Sequence, residues 1–149
     1  MARSGAKIGK KTQFLREDPV DSGTFVPVAE VKSINGPTQS RDAVEATHLE
    51  SDDDHTEYVP GVAEGGEVSL TLNFRPEHTS QGASSGLYKD FQDGTFRNWQ
   101  IAFPQFAGTP TLRLAGFLTG WEPSIATKDL LTVAVKLKVS GKVTATSFA

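Results

Sequence analysis

The sequence predicts a mainly β, α+β fold: an antiparallel β-sandwich or half-barrel with one flanking α-helix. Three observations lead there. Apolar residues alternate with polar ones in several runs, most clearly Val68, Leu70, Leu72 and Phe74, and later Leu131, Val133, Val135, Leu137 and Val139. A period of two places each set on one face of a strand. A single segment has helical spacing, with Leu87 and Phe91 four residues apart and Gly94 placed as a left-handed terminator. The order is then strands, one helix and strands again at hairpin-like intervals, which suits an antiparallel sheet rather than βαβ units.

The elements follow in chain order. Residues 1–24 are polar, lack periodicity and read as an extended N-terminal arm, basic at Arg3, Lys7, Lys10 and Lys11, with Phe14 and Leu15 as a short apolar anchor. That anchor suits contact with a neighbouring subunit or packing on its own domain. The run Phe25–Ile34 reads as the first strand, with Pro27 confined to its start or to an edge. Asn35-Gly36-Pro37 is a turn. The segment Val44–Leu49 and the alternating run Glu67–Arg75 read as two strands flanking a finger loop, residues 50–61, of sequence Glu-Ser-Asp-Asp-Asp-His-Thr-Glu-Tyr-Val-Pro-Gly. Hairpin loops usually hold two to five residues, so one this long is functional or disordered. The finger residues singled out are Glu50, Asp52, Asp53, Asp54, His55, Glu57 and Tyr58. A helix is expected over about residues 84–93. Strands resume at Phe96–Phe103, Thr111–Ser124 and Lys128–Val139, leaving 144–149 as a C-terminal tail. The domain proper therefore runs over residues 25–143, with no repeat.

Composition narrows the function. At 149 residues the chain has one-domain length, enough to bury roughly 68–70% of its unfolded surface. It has no cysteine, which removes disulfides, thiol nucleophiles and thiolate metal sites. The basic start has no apolar stretch and is no secretory signal, and no run is long enough to span a membrane, so a soluble protein is expected. A net charge of −3 argues against a dedicated nucleic-acid binder. Between Asp42 and Glu67 there are nine carboxylates and not one Lys or Arg. Basic residues gather instead in the arm and near the last strand, at Lys128, Lys136, Lys138 and Lys142. Unlike charges at separate places suit head-to-tail self-association, although a solvated loop and a solvated arm would look the same in composition.

Catalytic and metal motifs do not hold up. Gly82-Ala83-Ser84-Ser85-Gly86 matches the G-x-S-x-G nucleophile elbow, but His48, His55 and His78 all precede the serine, whereas in that fold the histidine follows it. Asp52-Asp53-Asp54-His55 lacks the glycine and the terminal glutamate that make an EF-hand loop. No enzyme activity, metal or cofactor is expected.

In its ordered features the chain resembles the major tail tube proteins of long-tailed bacteriophages, particularly those like the phage lambda tube subunit. The features are the arm and the strand Val28–Ile34, then the acidic finger with Tyr58 and its exit Gly61-Val62-Ala63-Glu64-Gly65-Gly66. Leu70–Pro76, the block Leu87–Thr95, Trp99–Pro104, Leu114–Pro123 and the last long strand follow. The resemblance covers roughly Phe25–Val143. The lambda-type subunit continues into an immunoglobulin-like domain where this sequence stops at Ala149, so nothing of that domain carries over.

The resemblance implies a structural virion protein of the phage tail, assembled in the host cytoplasm. It implies hexameric rings stacked into a hollow tube through which double-stranded DNA is ejected without specific binding. Implied partners are other copies of the chain, a tape-measure protein, and tail tip and tail terminator proteins. The finger would make inter-ring contacts, reaching on the order of 15–20 Å at ~3.4 Å per residue, and the arm (Arg3, Lys7, Lys10, Lys11, Phe14, Leu15) would make subunit contacts. By pattern, Ser69, Thr71 and Asn73, with Glu45 and Thr47 opposite, are candidates for a neutral-to-acidic lumen. The alternatives are a monomeric β-sandwich ligand-binding module, or a secretion-tube or connector protein of the same architecture.

Overall fold

The computed structural model describes residues 3–51 and 54–149. Among these residues ten strands and one helix follow in the order β1 (Gln13–Glu17), β2 (Phe25–Pro27), β3 (Val31–Asn35), β4 (Ser40–Glu45), β5 (Tyr58–Glu64), β6 (Glu67–Asn73), α1 (Leu87–Asp93), β7 (Arg97–Ala102), β8 (Thr111–Ser124), β9 (Thr132–Val139) and β10 (Thr144–Thr146). Eight strands form one antiparallel sheet in the order β2-β1-β7-β8-β9-β6-β3, with β10 also paired to β8. β4 and β5 form a separate two-stranded ribbon.

The long strand β8 is the spine. It pairs with β7 over Thr111–Gly116 and with β9 over Gly116–Ser124. At the handover Gly116 lies so close to β9 that an added Cβ would fall on the Lys138 carbonyl, so only glycine fits. Alternation works as the sequence implies. Val68, Leu70 and Leu72 of β6 and Val133, Val135, Leu137 and Val139 of β9 are buried, together with Leu114 and Leu118 of β8 and Trp99 and Ile101 of β7. Residues between them face out. The helix covers the core face through Leu87, and Gly94 ends it in the left-handed conformation, donating its N–H to the Asp90 carbonyl.

Four expectations are corrected. Residues 13–17 are not part of an extended arm: they form β1 between β2 and β7, and Phe14 is 1% exposed and stacked on Trp99 with ring centroids 5.5 Å apart. Phe14 is therefore a core residue and is not available to a neighbour. Five residues are too few for periodicity to register. The run Phe25–Ile34 is two strands, because Glu30 adopts φ +57° and breaks it. Val44 and its neighbours pair with β5 and not with the 67–75 strand, which belongs to the main sheet between β9 and β3. The finger is thus a hairpin of β4 and β5, and Tyr58, Pro60 and Gly61 lie in its second strand. Lastly, Thr144–Thr146 pair with β8 instead of forming a tail, and Val143 is buried.

Candidate assembly surfaces

The hairpin β4–β5 is the most unusual part of the molecule. Every residue of β4 is exposed, and in β5 only Gly61 is half-buried. Val44 and Val59 face each other across the ribbon and are 49% and 48% exposed, and Val62 is 75% exposed. A two-stranded ribbon with no third layer is marginal in water, so this one needs a surface to lie on. Its tip is tied locally. Ala46 N–H donates to the Glu57 carbonyl at 2.8 Å, Glu57 N–H donates to Thr47 Oγ1 at 2.8 Å, and His48 Nε2 lies 3.4 Å from a Glu57 carboxylate oxygen. Leu49 is fully exposed beyond those ties.

The sequence-predicted residues divide accordingly. Glu50, Asp54, His55 and Glu57 are exposed at or beside the tip, and Tyr58 is exposed at the start of β5. Asp52 and Asp53 lie outside the described residues. Arg3, Lys7, Lys10 and Lys11 are exposed. The segment before β1 is anchored, with the Gln105 amide donating to the Ile8 carbonyl at 3.3 Å and to Thr12 Oγ1 at 2.9 Å. Leu15, in β1, is half-buried.

Ser69, Thr71 and Asn73 do share one face of β6, opposite the core. Glu45 and Thr47 do not join them, because they belong to the ribbon and its loop. The true neighbours on that face come from β3 and β9. Ser33 and Asn35 pair with Thr71 and Ser69, and Lys138, Lys136, Ala134 and Thr132 pair with Glu67, Ser69, Thr71 and Asn73. Glu122 and Phe117 of β8, paired to Ala134 and Lys138, complete it. The result is a sheet of hydroxyls and amides carrying two lysines and two glutamates.

Sequence reasoning missed the charges beneath the helix. Asp90 is 1% exposed and accepts from Arg16 Nε at 2.6 Å and from Arg97 Nη2 at 2.7 Å. On the opposite face of β1 Glu17, also 1% exposed, accepts from the Asp21 and Gly23 N–H groups and the Asn98 amide. Burial, the largest single influence on Glu17, pushes its pKa up, but those three hydrogen bonds and the Arg113 charge outweigh it and hold the carboxyl below 4.5. On the surface, bonding to Arg75 lowers Glu30 and Glu77 as well. The signal was present in the pattern, since Arg16 falls on the inward face with Phe14, and Arg97 with Trp99 and Ile101. An arginine in a core register requires a buried acid.

Among the described residues no catalytic arrangement accompanies these features. Ser84 and Ser85 are exposed, and the His78 ring shares its hydrogen bond with Ser80. Among the described residues no three His, Asp or Glu side chains converge on a metal position. Among the described residues no helix is long and apolar enough to cross a membrane. Trp121 is half-buried in edge contacts with Phe74 and Tyr88, so it is not an open aromatic platform.

Comparison with known families decides the identity. Residues 9–146 match the family described as lambda phage tail tube protein, TTP. The chain belongs to the lambda phage tail tube protein family. This tail tube protein is thus a structural component of a phage-type virion tail. No curated protein sequence matches it. Among solved structures it is similar to the tail of an empty gene transfer agent particle refined with C6 symmetry (TM-score 0.77, 19% identity, covering 95% of this chain and 100% of that one). It is also similar to the SPP1 tail tube (TM-score 0.68, 12% identity, 93% and 77% covered). A third is the sheath/tube terminator of an extracellular contractile injection system, PVC (TM-score 0.70, 16% identity, 98% and 100% covered). At these identities the likeness is one of fold.

Proposed function

We propose that this tail tube protein polymerises as stacked hexameric rings into a hollow tube that conducts double-stranded DNA, and that it has no catalytic activity. The observation that carries the reading is the exposed β4–β5 ribbon, a folded element that its own subunit leaves uncovered. In a stack the ribbon and its tip (Glu50, Asp54, His55, Glu57, Tyr58, with Asp52 and Asp53 by sequence) lie on the adjacent ring. The basic segment Arg3, Lys7, Lys10 and Lys11 meets a neighbouring copy. The face bearing Ser69, Thr71 and Asn73 lines the lumen, where near-neutral, hydroxyl-rich surface lets DNA slide without the phosphate pairing that would hold it. Free sheet edges at β2 and β3 are closed by neighbours. A tape-measure protein in the lumen and terminator and tip proteins at the ends complete the assembly.

Negative-stain electron microscopy at rising concentration tests this, comparing the intact chain with one in which residues 46–57 are replaced by Asn-Gly. The intact chain is expected to give rings or hollow tubes, and the shortened chain to fold but not stack. Tubes of ordinary length from the shortened chain would overturn the role of the ribbon.

A further inference from the structure

The half-barrel closes only along part of its seam. At one end the Val28 N–H donates to the Phe14 carbonyl at 2.9 Å, joining the segment before β3 to β1. Towards the other end the two sides part, and a groove of about 600 Å³ opens between β3 and the segment leading into β1. Its apolar floor includes Ile34, Ile101 and Phe103, and Lys10, Lys11 and Lys32 stand at its rim. β3 pairs only with β6, so its other edge is free along the groove. The rim is built, because Gln105 pins the turn that carries Lys10 and Lys11. Among the described residues no carboxylate lies within 4 Å of any of the three lysines.

We propose that this groove is the receptor for the finger tip of a second copy, with Leu49 seated on Ile34 and Phe103 and the carboxylates of Glu50 and Asp54 over Lys11 and Lys32. The inference rests on the stacked-tube reading and names the surface on which the ribbon lies. Charge selects the occupant. The basic N-terminal segment of a neighbour, with Arg3 and Lys7, would be repelled by the rim, whereas the tip is acidic. Shape agrees, since Leu49 is a fully exposed apolar side chain between the polar His48 and Glu50 and the groove is an apolar floor inside a charged rim. An anchor in a pocket ringed by polar contacts is the usual form of an energetic hot spot.

Because the chain has no cysteine, cross-linking tests the contact directly. Glu50→Cys and Lys32→Cys are both exposed changes that leave the core untouched. The two variants, mixed, assembled and oxidised, are expected to give a 50–32 disulfide dimer that neither variant forms alone. Separately, Lys11→Glu with Lys32→Glu should raise the concentration needed for tubes by about tenfold, since exposed pairs contribute up to about fivefold each. Adding Glu50→Lys with Asp54→Lys should restore it. Tubes that form normally, without the cross-link and without a response to charge reversal, would overturn the groove and leave the tube standing. An intact chain that never assembles would overturn the tube reading and the groove with it.

Discussion

Asp90 is held between two guanidinium groups with almost no access to water, and each charge is tolerated only because the others are present. Removing the acid leaves Arg16 and Arg97 buried and unpaired, so Asp90→Ala should destabilise the fold by about 3–5 kcal/mol, measured by urea unfolding. A loss below ~1 kcal/mol would mean that water enters the cluster. Glu17 gives the pH dependence. Its folded pKa lies below 4.5, so its contribution is fully present above the unfolded value and is lost as pH falls through the folded one. The gap in urea midpoint between the wild type and Glu17→Gln should therefore be widest near neutral pH and close as the pH falls below the ordinary carboxylate range. A gap constant with pH would show that the ionised form is not what the site stabilises. Neither residue stood out in the sequence, because an isolated Asp in a short helix and a Glu ending a five-residue strand look like surface positions. Only the inward register of Arg16 and Arg97 betrays Asp90.

The elements divide by whether they can be recognised alone. β6, β8 and β9 are long enough for alternation to declare them, and β8 falls on the expected residues, Thr111–Ser124. α1 is shorter than expected because Gly86 is buried against the turn at Gln81 and Gly82. The sequence points β4 towards Glu67–Asn73 because that run carries the strongest alternation nearby, whereas β5 contains Pro60 and Gly61 and has no apolar–polar alternation to mark a buried face. That same lack of a buried face is why the ribbon stands free. Such an element has few tertiary contacts to protect its backbone hydrogen bonds and should open far more readily than the main sheet. In hydrogen exchange, amides of Val44, Val59 and Ala63 should exchange early in the monomer, while those of Val135 and Leu137 persist. In assembled tubes the ribbon amides should become protected. Early exchange in both states would mean that no neighbour covers the ribbon.

At the scale of the whole molecule, the two sides of the sheet differ in what they can face. One side is closed by the core and α1. The other carries Ser33, Ser69, Thr71 and Asn73 among Glu67, Glu122, Lys136 and Lys138, a surface whose charges cancel. The sequence points to a neutral-to-acidic lumen through the net charge of −3 and through Ser69, Thr71 and Asn73 with Glu45 and Thr47 opposite. Strand order was not readable, so the lysines that β9 brings alongside were not counted. A surface with no net charge has little hold on duplex DNA, because tight binding requires cations that displace the counterions of the phosphates. If that face lines the channel, its position is measurable in a chain without native cysteines. Single Thr71→Cys and Lys136→Cys variants in assembled tubes should react with a small maleimide but be shielded from one carrying a large polymer. Lys89→Cys, on the exposed side of α1, should react with both. Equal labelling of Thr71→Cys and Lys89→Cys by the bulky reagent would place the polar face on the outside of the tube and reverse the orientation of every subunit in the ring.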